Sequence, residues 1–551
     1  MRSLRRVASL LVLVFIGLLP LVGCTDEKIV FREPFNPPPD AESGFLGYFA
    51  STDKQTTCGN CHVDHQNKWV ETAHAGAYAT LAENPNTQDF CYGCHTVNQN
   101  GNRVQEAAGW NVVRDTAYHD VQCESCHGPG AEHVETPDAS EHPRARVRVL
   151  TADLETGSVD TDTATAAGSC AECHSGAHHP FVDEWRESAH ARALYSEEDQ
   201  IFIADESPSC AACHECRSVL RTWGVTSNFL ERDSVAGPEG PHLGVTCAVC
   251  HDPHNAQFEG QLRYALSTTN FDENLCMKCH ARRYEPAPTS FRGPHAPQGP
   301  VLTGTAGWWP PGYDTTAVAS THGTPSANPR LCAGCHVNRF EVEDRLNPGE
   351  TILSVGHSFR PVPCLDPASG EPTQDNTCGY TEAERYWGSC TTSGCHTGGA
   401  AAVVLALGSQ RADIDVLVDQ LWNDVDGDTV LFEADPATGD FIAFDPGDTG
   451  LLTQIPDPAT AFTVADLQIT VAEGALFNVR LVGEARYANG DRSKGVHNPF
   501  LSTALLAASI NAVQAQYFTP AVRLSPEAQA VLDRVNAKVL RGRAPSPISS
   551  R

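Results

Sequence analysis

The chain of 551 residues is long enough for roughly two to four ordinary domains, yet only 7% of its residues are aromatic and 41% are hydrophobic. Its formal net charge is −30. A surface of this charge repels nucleic acid and anionic membranes, so nucleic-acid binding is excluded and basic partners or cationic substrates are favoured.

The first 23 residues have the pattern of a bacterial export signal. Three arginines precede an apolar run at 7–22, and small residues follow it. Leu-Val-Gly-Cys24 resembles a lipobox, so we expect a lipoprotein signal peptide at 1–23, a lipid-modified Cys24 that anchors the chain to a membrane, and a tether at 24–57. Ordinary cleavage beside an incidental cysteine is the alternative. The expected location is the periplasmic side of a membrane, or the outer membrane and cell surface.

The 22 cysteines indicate the cofactor. Eight segments read Cys-x-x-Cys-His, the attachment signature of c-type haem, in which both thiols form thioethers with the porphyrin and the adjacent imidazole binds the iron. Zinc ribbons and redox disulfides do not require a histidine after every cysteine pair. The motifs are Cys58/Cys61/His62, Cys91/Cys94/His95, Cys123/Cys126/His127, Cys170/Cys173/His174, Cys210/Cys213/His214, Cys247/Cys250/His251, Cys276/Cys279/His280 and Cys332/Cys335/His336.

A ninth candidate motif has a longer spacing. Cys390-Thr-Thr-Ser-Gly-Cys395-His396 places four residues between its cysteines instead of two. Gly394 gives the backbone freedom to loop the extra residues out. A disulfide cysteine beside a chance histidine is the alternative interpretation. Next to eight regular motifs, we interpret the segment as a haem site, which makes eight to nine covalent haem c groups.

Three other cysteines remain. Cys364 and Cys378 enclose a short loop rich in Pro, Gly and Asp, and in an oxidising compartment we expect them to form a disulfide. Cys216 has no evident partner, and we interpret it as a buried thiol, with a ligand or regulatory role as the alternative.

The second axial ligands are expected to be mainly histidines, because methionine, the usual alternative, is nearly absent. The only two are Met1 and Met277. The 23 histidines minus nine in motifs leave 14 for nine irons, so counting does not reveal whether one iron keeps an open position. His65, His142, His178 and His179 have no recurring context. The candidate distal ligands are His74, His119, His133, His190, His242, His254, His295, His322, His357 and His497.

An internal repeat organises the motifs. Residues 58–133 and 170–254 share one order: a haem motif, a Trp-x-Glu-(Thr/Ser)-Ala-His-Ala segment that we predict to be a short helix, and two further motifs. We therefore predict a three-haem module at 58–165, a second at 166–265, a third haem region at 266–400 and a motif-free helical region at 401–551. An acidic stretch at 154–165 joins the two modules.

The fold class follows from the motif density. Nine motifs within the 339 residues from 58 to 396 leave roughly 38 residues for each, which is too few for a conventional sheet core. We expect a mostly α fold with extensive loop, wrapped around a haem array, and a C-terminal helical bundle with helices near 400–422 and 501–517. Asp424-Val-Asp426-Gly-Asp428 is similar to a calcium loop, but its glycine is misplaced, so a solvated acidic loop is expected.

Several segments resemble the cytochrome c-554 and hydroxylamine oxidoreductase group of multihaem cytochromes. They are Val121-Gln-Cys-Glu-Ser-Cys-His-Gly-Pro-Gly-Ala-Glu-His133, the two tryptophan segments and Gly495-Val-His-Asn-Pro499. The resemblance covers roughly 58–517 and implies parallel and perpendicular haem pairs in a mostly helical protein of respiratory electron transfer. It also implies that His74, His133 and His190 are distal ligands. No motif carries the lysine of pentahaem nitrite reductases, and no cross-linking tyrosine is identified.

Three functions remain open. The favoured hypothesis is an electron carrier of the bacterial envelope that exchanges electrons with other redox proteins. The second is a redox enzyme in which one open haem acts on a small nitrogen or sulfur compound, although no catalytic residue is assigned. The third is a cell-surface conduit that reduces extracellular acceptors.

Overall fold

The computed structural model describes residues 37–543, except for 103, 138–142, 144–169, 194, 197–200, 203–206, 226–243, 289–291, 374, 393–394, 464–466 and 484–488. Predictions for the export signal, Cys24, His142, His242, Gly394 and the acidic stretch at 154–165 lie outside the described residues.

Short helices and loops make up most of the described chain, as expected for a mostly α fold. The helices are α1 (Val63–Trp69), α2 (Ala77–Ala82), α3 (Cys123–His127), α4 (Ala131–Glu135), α5 (Phe181–Glu187), α6 (Pro208–His214), α7 (Cys216–Thr222), α8 (Cys247–Cys250), α9 (Gln298–Thr303), α10 (Cys332–His336), α11 (Gly388–Thr391), α12 (Gly399–Leu421), α13 (Pro458–Ala461), α14 (Val471–Val482), α15 (Pro499–Tyr517) and α16 (Pro526–Lys538).

The strands form antiparallel pairs. β1 (Tyr48–Ala50) pairs with β2 (Gln55–Thr56), β3 (Tyr195–Ser196) with β4 (Ile201–Phe202), β5 (Phe340–Glu343) with β6 (Thr351–Ser354), β7 (Cys364–Leu365) with β8 (Pro372–Thr373), and β9 (Phe432–Ala434) with β10 (Phe441–Phe444). Within the described residues each sheet has two strands. Such small sheets hold neighbouring loops together and do not form a hydrophobic core.

Part of the segment predicted to be a tether is packed instead. Phe45 is fully buried, and the Tyr118 hydroxyl donates to its carbonyl at 3.0 Å. The buried Glu124 carboxylate accepts from the amides of Leu46 at 2.9 Å and Gly47 at 2.7 Å. Burial raises the pKa of Glu124 to about 7. The segment around residue 45 therefore covers the third haem motif.

The two modules of the sequence repeat make the same contacts. In each, the indole of the tryptophan donates to the carbonyl of the valine two residues before the third motif. The amide of that valine donates to the carbonyl of the histidine in the tryptophan segment. The bonds are Trp69–Val121 at 3.1 Å, Trp185–Val245 at 2.9 Å, Val121–His74 at 3.1 Å and Val245–His190 at 3.3 Å. The repeat thus fixes His74 and His190 in equivalent positions.

We predicted that the tryptophan segments are short helices, but only part of each segment is α-helical. The helix α1 ends at Trp69 and α5 ends at Glu187, and the backbone is then extended at Thr72 (φ −83°, ψ 160°) and Ser188 (φ −76°, ψ 160°). The Thr72 hydroxyl donates to the carbonyl of Trp69 at 2.7 Å. Hydroxyl residues that bond to nearby backbone compete with helix continuation. Each histidine therefore follows the α-helix, and His74 lies in a short 3-10 helix, Ala73–Gly76.

The C-terminal region contains the main hydrophobic core. The helices α12, α14, α15 and α16 pack together, and the predictions near 400–422 and 501–517 are confirmed by α12 and α15. The helix α14 begins with a capping box between Thr470 and Glu473, and Asn498 caps α15 by accepting from the Leu501 amide at 3.0 Å. This unit also holds the β9–β10 hairpin, which we did not predict.

Asn478 joins this bundle to the third haem region. Its side chain is fully buried, accepts from the Trp308 amide at 2.8 Å and donates to the Trp308 carbonyl at 2.7 Å. Gly474, one turn earlier, lies against the Trp308 ring so closely that a Cβ atom would be 2.1 Å from it. The bundle therefore packs directly against the third haem region.

The structure also describes the other cysteines and the acidic loop. Cys364 and Cys378 form a disulfide with Cα atoms 6.1 Å apart, and Cys216 is fully buried, as expected. In the acidic loop Asp424 is buried and accepts from the Gly427 amide at 2.8 Å, whereas Asp426 is exposed. No helix among the described residues combines the length and apolarity needed to cross a membrane.

Candidate haem-binding site

A single large cavity runs among the haem motifs. Its volume is about 4130 Å³, and its lining includes the histidine of all nine motifs. A pocket for one small molecule is typically about 300–1,000 Å³. The described part of the chain therefore encloses space for a set of large groups, bordered by the residues that the motifs predict.

Several motif backbones share one hydrogen bond, whereas in the second motif the His95 amide donates to the Tyr92 carbonyl at 3.2 Å instead. The histidine amide donates to the carbonyl of the first cysteine in the first motif, where His62 bonds to Cys58 at 3.0 Å. The ninth motif closes in the same way despite its two extra residues, because the His396 amide donates to the Cys390 carbonyl at 3.1 Å. Both motifs thus return the histidine to the same side of the first thiol.

Histidine rings meet in pairs across the cavity. In eight of the nine motifs the histidine faces a ring from a distant segment, with ring centroids 6.0 to 6.3 Å apart. The pairs are His62–His133, His127–His254, His174–His74, His214–His295, His251–His357, His280–His190, His336–His497 and His396–His322. All eight partners are distal ligands predicted from the sequence.

This spacing fits an iron between two imidazoles. A metal–imidazole nitrogen bond is about 2.0–2.1 Å long, and the ring centroid lies roughly 1.1 Å beyond the nitrogen, so two opposed ligands have centroids roughly 6.3 Å apart. Stacked rings without an intervening atom lie much closer, as Tyr78 and His119 do at 3.5 Å. The paired histidines therefore fit bis-histidine haem.

Hydrogen bonds orient many of these rings. The Nδ1 atom of His95 donates to the Ala77 carbonyl and that of His214 to the Ala193 carbonyl, both at 2.7 Å. His251 bonds to a carbonyl at 2.7 Å in the same way. A carbonyl oxygen only accepts, so the proton lies on Nδ1, and Nε2 presents its lone pair to a metal.

Burial favours the neutral form of several of the rings. It is the largest cause that lowers the pKa of His174 to about 4, of His190 to about 3 and of His336 to about 4. Iron binds the neutral imidazole, so these rings need no deprotonation at neutral pH.

The histidine of the second motif, His95, has a different neighbour. Burial lowers the pKa of His179, and the charge of His95 adds to the same shift, so the two rings lie in one neighbourhood. The His179 ring also lies 6.3 Å from that of His174, the histidine of the fourth motif. Our predicted ligand set did not include His179, because no comparable context recurs around it in the sequence.

His119 is not placed opposite a motif histidine, whereas the His65 ring lies 6.3 Å from that of His62, three residues before it. The His119 ring stacks on Tyr78, with centroids 3.5 Å apart, and lies 5.1 Å from Trp110. It is absent from the cavity lining, so the structure does not bring this predicted ligand to an iron position. His65 lines the cavity with its ring 5.1 Å from that of His254.

Thiols of different motifs contact one another and connect the motifs. Side-chain hydrogen bonds join the first motif to the third, the second to the fourth, the fourth to the sixth, the fifth to the seventh and the seventh to the eighth. The pairs are Cys58–Cys123, Cys94–Cys173, Cys170–Cys247, Cys213–Cys279 and Cys276–Cys332. Electrostatic contacts add Cys126–Cys173, Cys250–Cys276 and Cys335–Cys390. Together these contacts link all nine motifs into one network.

Comparison with known families and structures agrees with these motifs. The family model for cytochrome c554 and c-prime matches residues 57–128, and the model for the doubled CXXCH motif matches 240–284. No curated protein matches the chain. Two solved structures are similar: the outer cell wall cytochrome OcwA, at 18% identity over 77% of this chain and 76% of that chain with a TM-score of 0.42, and the undecahaem cytochrome from the S-layer of Carboxydothermus ferrireducens, at 17% identity over 86% and 70% with a TM-score of 0.44.

The ligand pairs predict a specific change of spin state. In His190→Ala the iron held by His280 loses its second imidazole, so one haem changes from low-spin to high-spin. Electron paramagnetic resonance of the ferric protein measures the change. The matched control is His119→Ala, which we expect to keep every haem low-spin. A low-spin spectrum for His190→Ala, or a high-spin signal from His119→Ala, would contradict the ligand set.

Proposed function

We propose that this multihaem c-type cytochrome mediates respiratory electron transfer in the bacterial envelope through nine covalent, mainly bis-histidine haems. The observation that carries the proposal is the set of eight histidine pairs with one common spacing of 6.0 to 6.3 Å. Bis-histidine ligation fills both axial positions of an iron and leaves none for a substrate. Such sites suit electron storage and transfer.

The connected motifs support transfer across the whole array. Bound haem supplies the one-electron Fe(III)/Fe(II) couple. The chain keeps the thiols of linked motifs near one another from the first motif to the ninth, which keeps the groups attached to them close together. Because tunnelling falls steeply with distance, this close spacing is what electron transfer requires.

The ligand set favours low potentials. Methionine ligation raises the potential of haem. Met277 is 1% exposed and packs against Leu302 and Leu331, outside the cavity lining. The array is therefore expected to accept electrons from strongly reducing donors. The net charge of −30 favours redox partners with basic docking surfaces.

One motif supports the alternative function, a redox enzyme with an open haem. His95 is the motif histidine that is not part of the eight evenly spaced pairs. Weak binding of His179 would leave that iron open to a small nitrogen or sulfur compound. The second motif is thus the place where the carrier and enzyme hypotheses diverge.

Lipid anchoring is a further part of the proposal. It is supported by the basic and apolar segments before Cys24 and by the haem motifs, since c-type haem is attached after export. We propose that the mature chain is held at a membrane through the modified Cys24, on the periplasmic side or at the cell surface.

The ninth site predicts a haem count. Intact-protein mass spectrometry of the wild type is expected to show nine covalent haems, and Cys390→Ala/Cys395→Ala to show eight. The matched control is Cys216→Ala, which removes a cysteine outside the motifs and keeps nine. Eight haems on the wild type would show that the ninth motif binds none.

The carrier hypothesis predicts that added ligands have no effect. Nitrite or hydroxylamine should leave the optical and resonance spectra of the ferric wild type unchanged, because every iron has two protein ligands. His179→Ala is the positive control and should open one iron to both compounds. A wild-type high-spin signal that shifts on their addition would support the enzyme instead.

Anchoring predicts where the protein is found in fractionated cells. The wild type should be in the membrane fraction, and Cys24→Ser should appear in the soluble periplasmic fraction or remain unprocessed, since the thiol receives the lipid. A Thr25→Ser variant is the control and should behave like the wild type. Soluble wild-type protein would contradict an anchor at Cys24.

A further inference from the structure

His497 has a hydrogen-bond partner of an unusual kind. Its Nδ1 atom donates to the Oδ1 atom of Asp491 at 2.6 Å. Asp491 is only 4% exposed, and its own amide donates to the Leu481 carbonyl at 2.9 Å. The Ser493 hydroxyl donates to the second carboxylate oxygen. The fold thus holds a buried carboxylate within hydrogen-bond distance of the His497 ring, one of the two rings in the His336–His497 pair.

The other ligand rings with a described Nδ1 bond have neutral acceptors. The partner in this pair, His336, donates to the Phe359 carbonyl at 2.8 Å, and His280 donates to the amide oxygen of Gln298 at 3.1 Å. The ligand of the ninth motif, His322, donates to the Val496 carbonyl at 2.6 Å. The loop that contains Asp491 and Val496 therefore provides a carboxylate acceptor for His497, the partner of the eighth motif, and a carbonyl acceptor for His322, the partner of the ninth.

The acceptor type changes what the imidazole gives to the iron. A carboxylate draws the Nδ1 proton towards itself, which increases the negative charge on the ring and strengthens donation from Nε2. The ferric state has more positive charge than the ferrous state, so stronger donation stabilises it. Burial of the carboxylate keeps water from weakening the interaction.

The charge distribution around His497 agrees with a strong interaction. Burial alone would lower the pKa of this histidine, as it does for His190 and His336. The charge of Asp491 and its hydrogen bond outweigh burial and raise the pKa of His497. The 2.6 Å distance between Nδ1 and Oδ1 places the Nδ1 proton between the ring and the carboxylate.

We propose that Asp491 is a positioning residue that lowers the reduction potential of the haem between His336 and His497, below the value that a neutral acceptor would give. The inference rests on the proposed ligand set. Reduction adds one electron to this iron, and the proton remains on Nδ1, shared with Asp491. The thiols of the eighth motif lie near those of the seventh and the ninth, so the potential of this haem affects electron transfer between its two neighbours.

The test is Asp491→Asn in the complete, haem-loaded protein. Asparagine has the same shape and keeps an oxygen acceptor, but it carries no charge. Potentiometric titration followed by electron paramagnetic resonance should show the midpoint potential of one haem shifted upwards and its low-spin g values changed. The haem count and the other potentials should stay the same.

Two further variants separate the hydrogen bond from charge and folding effects. Asp252→Asn is the matched control, because this carboxylate lies 3.6 Å from Nδ1 of His254, a longer contact than the 2.6 Å bond of Asp491, and 3.4 Å from Arg263. It should give a smaller shift. Ser493→Ala removes a donor to Asp491, which makes the carboxylate a stronger acceptor, so the potential should move downwards.

The outcomes separate this inference from the proposed function. An unchanged potential in Asp491→Asn, or an equal shift in Asp252→Asn, would overturn the role of Asp491 while the haem array stands. If Asp491→Asn loses haem, the sign of the shift in Ser493→Ala decides: a downward shift supports the inference and none overturns it. His497→Ala without a high-spin signal would show that the ligand assignment itself is wrong.

Discussion

The structure depends on pairs of imidazoles that are held at the spacing which the proposed bis-histidine irons require. One is supplied by the motif itself, because the histidine directly follows the cysteine that fixes the porphyrin. The other must come from elsewhere in the chain and stop with its ring about 6.3 Å from the first. Short helices, extended stretches and small two-stranded sheets serve this placement, and the largest apolar core of the described chain is formed mostly by residues after the last motif.

The second ligands cross the boundaries of the repeat. His74 of the first module faces His174 of the second, and His254 of the second module faces His127 of the first. His190 of the second module faces His280 of the third region. Each unit therefore completes the iron sites of its neighbour. The thiol contacts repeat the same pattern, which makes the array continuous across units that the sequence presents as separate.

Much of the site follows from the sequence, because covalent haem attachment requires a fixed local spacing. Histidines in repeated contexts, such as His74 and His190, were also predictable, because the surrounding residues fix them through the same bonds to Val121 and Val245. His119 shows the limit of this reasoning. Its position just before the third motif led us to predict a ligand, but its ring packs against Tyr78 and Trp110. Only the three-dimensional positions of distant segments distinguish such a ring from a ligand.

The helices were harder to bound than the ligands. The helix α1 ends at Trp69, and the Thr72 hydroxyl then donates to the Trp69 carbonyl. This competition between a side chain and the helical backbone is not visible in the hydrophobic periodicity. Asn478 likewise joins the bundle to Trp308 across 170 residues of sequence, a contact that no local pattern records.

The crossed pairing also sets an order in which the sites become complete during synthesis. In three pairs the second histidine precedes its motif, as His74, His190 and His322 do. In the other five pairs it follows, by 127 residues for His127 and His254 and by 161 residues for His336 and His497. Because a chain is made from its N-terminus, these five motif histidines exist before their partners do, and the pair of His336 is complete only after synthesis has reached the C-terminal bundle.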